Sequence, residues 1–335
     1  MKKYVNLFVF VFMIGACLSQ GRAQTKSAVS YKNPVVDIAM PDPTVIKAAD
    51  GYFYVYATES TRNVPIMKSK DLVEWTYCKT AFTNKTRPRF EPKAGIWAPD
   101  INYINGKYVL YYAMSVWGGE QTCGIGVATA NSPQGPFTDH GKMFRSNEIG
   151  VQNSIDPSLL QYEGRNYLVW GSFRGIYVIE LTADGLSIMP GAKKKRIAGT
   201  AFEAVYIHKY GDYYYMFASI GSCCQGVKST YKVIVGRSKK VWGPYKDKTG
   251  KPMLKNGYSL VIGANDHFVG NGHGSQVIRD DAGQDWLLYH GFSRSTPENG
   301  RILLLDQIKW DQEGWPYVEG GSPSYETQKA PVFNN

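Results

Sequence analysis

Only five of the 335 residues are cysteine, and none of them stands in a C-x-x-C pair or at a Cys/His spacing that would hold zinc. Cys223 and Cys224 are adjacent, and neighbours rarely bridge each other, so they are expected to be small buried hydrophobes. A bridge between Cys78 and Cys123 is permitted in an oxidising compartment but nothing indicates it. Helical periodicity is nearly absent, which argues against a helical domain. A G-x-S-x-G elbow and a phosphate-binding glycine loop are both missing, so no serine nucleophile of that type and no nucleotide site of that type is expected. The formal charge is +10, but the basic residues are scattered apart from Lys193 to Arg196, expected in a loop between blades. That pattern argues against nucleic acid as a partner. A basic exported protein would more readily dwell near an anionic polysaccharide.

The N-terminus accounts for the longest apolar run. Lys2 and Lys3 precede Leu7 to Ala16, which is of signal-peptide length and too short to span a bilayer. Gly21-Arg22-Ala23 offers a cleavage site before Gln24, and Ile14-Gly15-Ala16-Cys17 resembles a lipobox that would put a lipid anchor on Cys17. The expected layout is a leader over 1–23 and one domain over 24–335, periplasmic, secreted or held at the outer membrane, with no transmembrane helix. A monomer is expected.

What the chain does have is 24 Tyr, 8 Trp and a 43% hydrophobic composition arranged in short runs. Asn153 to Phe173 shows the unit. Asp156-Pro157 leads a run from Ser158 to Tyr162, a Glu163-Gly164 turn follows, and a second run covers Asn166 to Gly171. Short apolar runs around a Gly turn read as a β-hairpin. The plan occurs five times, led by Asp42, Asp100, Asp156, Glu203 and His273, at spacings of 47 to 70 residues. Irregular all-β repeats of this length predict a five-bladed β-propeller. A second repeat, Asn131 to Phe137 against Ser238 to Tyr245, ends each time in Gly-Pro-aromatic and supports the blade count. Ser69 to Trp75 resembles an Asp-box but lacks its glycine; it is expected to be a turn whose Trp75 packs between blades. Arg301 to Trp310 and Gly314-Trp315-Pro316 should complete the last blade, and the stretch near Tyr31 to Ala39 should close the ring.

First strands of propeller blades line the central channel, so the five leading residues are expected to share one pocket at its mouth. Their bland alternative is five solvated turn residues. Three carboxylates in one pocket fit hydrolysis of a glycosidic bond: one ionised to deprotonate water, one protonated for the leaving oxygen, one to tune the acid. Oxygen ligands with one imidazole would also suit a hard divalent ion.

On these motifs the chain resembles glycoside hydrolase family 43, over roughly Asn33 to Pro316. The motifs are Met40-Pro41-Asp42-Pro43, Ile96-Trp97-Ala98-Pro99-Asp100, Asn153-Ser154-Ile155-Asp156-Pro157, Phe202-Glu203-Ala204 and Gly272-His273-Gly274-Ser275. Val205 stands where the family often has proline, a departure that bears on loop shape. The segment Cys223 to Gly250 is similar to the endo-1,5-α-L-arabinanases of that family. The resemblance implies Asp42 as general base, Glu203 as general acid, Asp156 as its tuner, and inversion by single displacement on α-1,5-linked arabinan, including pectin side chains. It implies a calcium-like ion beside His273. Trp97, Trp117 and Phe173 are expected to wall the substrate, with Asn153, Asp100 and Arg301 as further contacts; for Asp100 a purely structural hydrogen-bonding role stands equally open. Exo-acting arabinofuranosidase or β-xylosidase activity remains as an alternative, as does a binding propeller with a dead site, against which all three carboxylates are retained.

Overall fold

The computed structural model describes Met1 and residues 29 to 334. Apart from Met1, the expected leader over 1–23, and Cys17 with it, lies outside the described residues. The rest is built almost wholly of strands; the described α-helix is a single turn, Ser146–Ile149.

Five antiparallel sheets follow one another along the chain. Blade 1 comprises Thr44–Lys47, Phe53–Tyr56, Pro65–Ser69 and Thr76–Thr80. Blade 2 comprises Gly95–Ile104, Lys107–Ser115, Gly124–Ala130 and Thr138–Arg145. Blade 3 comprises Ser158–Tyr162, Arg165–Trp170, Ile176–Glu180 and Lys195–Ala198. Blade 4 comprises Glu203–Tyr210, Tyr213–Ile220, Lys232–Ser238 and Ser259–Ile262. Blade 5 comprises Phe268–Gly272 with Ile278–Arg279, then Asp285–Ser293, Ile302–Trp310 and Pro316–Tyr317. Two expectations shift here. Lys195 and Arg196 lie on the outer strand of blade 3, not in a loop, and His273 follows the first strand of blade 5 instead of preceding it.

The hairpin turns explain the registers. Gly51, Gly106, Gly164, Gly211 and Gly283 all take positive φ, between 54° and 82°. Asn105-Gly106 and Glu163-Gly164 are two-residue loops in which both residues do so, the geometry that matches the twist of flanking strands. The register of each inner hairpin is set there.

Blades pack face to face, so both faces of each inner strand are buried. In Lys107–Ser115, Leu110, Tyr112 and Met114 face blade 1, while Val109 and Tyr111 face blade 3. That is the two-residue alternation of a strand serving two cores. Five such cores occur, between blades 1 and 2, 2 and 3, 3 and 4, 4 and 5, and 5 and 1. The last, with Trp286, Leu303 and Leu305 against Val45, Phe53 and Val55, means the ring is closed. Trp75 packs into that same core as expected, its turn held by Asp71, whose carboxylate accepts from the amides of Val73 and Glu74. Phe137 and Tyr245, the aromatics of the Gly-Pro repeat, are buried in two other cores. The N-terminal stretch closes the ring by contact and not as a blade strand: Tyr31 donates to the carbonyl of Leu305, and Val36 bridges Leu303.

Candidate active site

A left-handed residue marks the mouth of the channel in every blade. Asp42, Ala98, Asp156, Ala204 and His273 have φ between 41° and 55°. Three of them precede proline, where this conformation is disfavoured. Such outliers cost of order 1–3 kcal/mol each and persist only where the surroundings over-determine them. Here they are over-determined. The amide of Ala98 donates to Thr58 Oγ1, that of Ala204 to Asp156 Oδ2, that of His273 to Ser219 Oγ and that of Asp42 to His290 Nδ1. Each acceptor belongs to the preceding blade around the ring. Because two alanines adopt the bend, it belongs to the propeller and not to the carboxylates that use it.

This geometry corrects the repeat alignment. The position equivalent to Asp42 and Asp156 is Ala98 in blade 2 and Ala204 in blade 4. Asp100 pairs with Tyr111 as Thr44 pairs with Tyr56, Ser158 with Val169 and Tyr206 with Phe217. Asp100 therefore lies one level deeper, 1% exposed, and does not line the cleft. Its carboxylate accepts from Tyr206 Oη, the amide of Leu159, Asn102 Nδ2 and Thr44 Oγ1. Asp100 is a hydrogen-bonding hub that ties blades 1 to 4 and not a substrate contact.

The remaining predicted residues do meet. Asp42, Asp156, Glu203, His273, Trp97, Trp117, Asn153, Phe173 and Arg301 all line one cleft of about 780 Å³ across the channel mouth. Trp117 is 79% exposed and leans on Trp97, ring centres 5.6 Å apart. A tryptophan so exposed presents an apolar face to the cleft and is not core packing.

The electrostatics separate the carboxylates. Burial would raise Asp42, but the guanidinium of Arg301 at 2.8 Å and His273 at 3.2 Å hold it well below the usual carboxylate range. His290 also faces Asp42, at 3.3 Å, yet it is no ion pair. Its Nδ1 accepts the Asp42 amide proton, so the ring is the neutral tautomer, in keeping with burial pushing it down to about 4. His273 goes the other way. Burial disfavours its charge, but Asp42, Asp156 and Glu203 around it raise its pKa.

Asp156 and Glu203 titrate as a pair. Burial first, then the charge of Glu203, pushes Asp156 up to about 8. Burial raises Glu203 as well, against hydroxyl donors from Ser172 at 2.6 Å and Tyr231 at 2.5 Å that favour its ionised form. Near neutral pH the pair therefore keeps a proton, which belongs to both residues. Asn153 supports this arrangement by donating to Ser172 Oγ.

Ser172, Tyr231 and His290 were not singled out from the sequence. Ser172 and Tyr231 lie 31 and 28 residues from the carboxylate they serve, and nothing in the local pattern marks them. Cys223 and Cys224 correct an expectation outright. They form a disulfide with each other, half-buried and exposed respectively, on the cleft wall. Cys78 and Cys123 are free thiols.

For an ion, the donor set is thin. Among the described residues no group of three or more His, Cys, Asp or Glu side chains is placed to hold a metal. What fits a cation is charge: three carboxylates crowd one imidazole, with Arg301 as their nearby guanidinium.

The family model for glycosyl hydrolases family 43 matches residues 31–316. The extracellular endo-α-(1→5)-L-arabinanase 1 of Bacillus subtilis is 37% identical over 290 residues, 82% of this chain and 86% of that protein. The extracellular exo-α-(1→5)-L-arabinofuranosidase ArbA of Cellvibrio japonicus is 36% identical over 307 residues, 83% of this chain and 86% of that protein. Among solved structures, the Cellvibrio cellulosa α-L-arabinanase complexed with arabinohexaose superposes with a TM-score of 0.77 at 33% identity, covering 86% of this chain and 98% of that one.

Proposed function

The chain belongs to glycosyl hydrolases family 43, and from that premise we propose that it is a glycoside hydrolase acting on α-1,5-linked arabinan, cleaving within the chain by a single inverting displacement. One observation carries the chemistry. An ionised carboxylate, Asp42, shares a cleft with a buried pair, Asp156 and Glu203, that keeps a proton at neutral pH. Hydrolysis of a glycosidic bond needs those two protonation states together.

In this reading Asp42 takes a proton from water as the water oxygen attacks the anomeric carbon. The bond from that carbon to the leaving oxygen breaks, and Glu203 gives its proton to the departing sugar. Asp156 keeps the shared proton in the site, and Arg301 keeps Asp42 charged and oriented. Ser172 and Tyr231 hold Glu203 toward the cleft. Trp97, Trp117 and Phe173 offer apolar faces to furanose rings. A base and acid acting across a sugar and a water stand about 6.5 to 9.5 Å apart in inverting enzymes. Endo action is supported by the arabinanase relatives and by a cleft lined by all five blades. Arabinan side chains of pectin are the natural polymer for such a site, and the extracellular relatives support action outside the cytoplasm, by secretion or on a Cys17 lipid.

A calcium-like ion belongs to the same proposal. His273 would hold it through its imidazole, with water for the other ligands. Bound there, the ion supplies positive charge that offsets the carboxylates. Elemental analysis finding no metal, with melting unmoved by a chelator, removes it.

The main test is a time course on linear arabinan with proton NMR of the fresh hydrolysate. Long oligomers first and an initial β-anomer are expected. Arabinose alone from the outset means exo action, and an initial α-anomer overturns the mechanism.

A further inference from the structure

The disulfide between Cys223 and Cys224 has no place in the catalytic scheme, yet it stands on the cleft wall. It lies in the loop between Tyr213–Ile220 and Lys232–Ser238, the second and third strands of blade 4. The base of that loop is tied. Ser222 receives the amides of Thr230 and Tyr231 on its carbonyl and donates its own amide to Thr230 Oγ1. The amide of Gln225 donates to Ser229 Oγ. The two sulfurs are thus an apolar, polarizable surface on a fixed loop, flanked by polar Ser222 and Gln225 and open to the cleft.

Its position relative to the carboxylates gives it a use. Glu203 opens the first strand of the same blade, and Tyr231, the residue that ends the loop, donates to Glu203 Oε1. A general acid stands beside the leaving oxygen, so a wall built on the acid's own blade faces the departing sugar. Trp117 stands on blade 2, across blade 3 from it.

We infer that the Cys223–Cys224 disulfide is a sugar-binding platform on the leaving-group side of the cleft, packing on the C–H face of an arabinofuranose ring. This inference rests on the reading of the site as an arabinanase. A disulfide also suits an oxidising, extracytoplasmic setting.

Three measurements test it on the full-length protein. Alkylation of the unfolded, unreduced protein followed by mass spectrometry should leave Cys223 and Cys224 unlabelled and label Cys78 and Cys123. Labelling of all four overturns the platform. Kinetics on linear arabinan should show KM raised about fivefold in Cys223→Ser/Cys224→Ser, with most of the loss falling on KM. Cys223→Ala/Cys224→Met, which restores apolar surface without a bridge, should bring KM back to within about twofold of wild type. A loop tether alone would not be rescued in this way. An unmoved KM, or a loss confined to kcat with a displaced alkaline limb as expected from slackening Tyr231, overturns the platform while leaving the arabinanase reading standing. A wild-type protein that does not cleave arabinan overturns both.

Discussion

At the mouth of the channel Asp42, Asp156 and Glu203 are each 8% exposed and face one another across the cleft. One level deeper, Asp100 is 1% exposed and accepts four hydrogen bonds drawn from blades 1 to 4. The mouth carboxylates are held by fewer donors: Arg301 and His273 for Asp42, the amide of Ala204 for Asp156, and two hydroxyls for Glu203. The same side-chain chemistry thus serves reaction above and cohesion below. What separates the two levels is whether a carboxylate's lone pairs are used up inside the protein or left for a ligand.

The largest effects should come at the mouth. Asp42→Ala and Glu203→Ala should each lose about 10² to 10⁴ in turnover, the usual reach of an acid or base. Both should keep wild-type circular dichroism. Near-native activity in either would erase the distinction between the levels.

Asp100→Ala should do the reverse. It strands four buried donors, so a loss of about 3 kcal/mol in stability is expected, read by urea unfolding, with turnover per folded molecule changed less than tenfold. The pH dependence sharpens the contrast. Burial raises Asp100 to about 6, so the folded state binds its proton more tightly than the unfolded state does. That contribution to stability is present below about pH 4 and is lost as pH rises to about 6. Asp100→Asn, which cannot ionise, should remove this part of the slope. Asp42 is depressed, so its contribution is lost instead as pH falls through the acid range.

For the rate, the alkaline limb should fall as pH rises through about 8, where the Asp156–Glu203 pair gives up its proton. The acid limb should lie below the ordinary carboxylate range, because Asp42 must be protonated before activity is lost there. The smallest effect expected is in Tyr231→Phe. Removing a donor that favours ionised Glu203 should move the alkaline limb to higher pH, with a loss of about tenfold or less in kcat. A limb moved to lower pH would mean that Tyr231 does not serve the charged form.

How far the sequence carried depends on which interactions are local. Strand alternation and Gly turns are written in neighbouring residues, so the hairpins, the five blades and the propeller were legible, as was the family through its ordered motifs. Blade geometry alone gathered Asp42, Asp156, Glu203 and His273, though it counted Asp100 among them. The depth of each residue in its strand was not legible. Asp100 and Ala98 differ by two positions, both precede or follow Pro99, and only the ladder with Tyr111 reveals which of them is at the mouth. Ser172 and His290 act across blades, Tyr231 reaches Glu203 from the far end of a loop on the same blade, and such pairings carry no sequence spacing. The bridge between Cys223 and Cys224 defied expectation for a related reason: whether adjacent thiols join depends on the conformation the loop carrying them takes in the fold. Backbone pattern is a short-range property and was set by the chain itself; protonation states and cleft walls arise from charges and surfaces that only folding brings together.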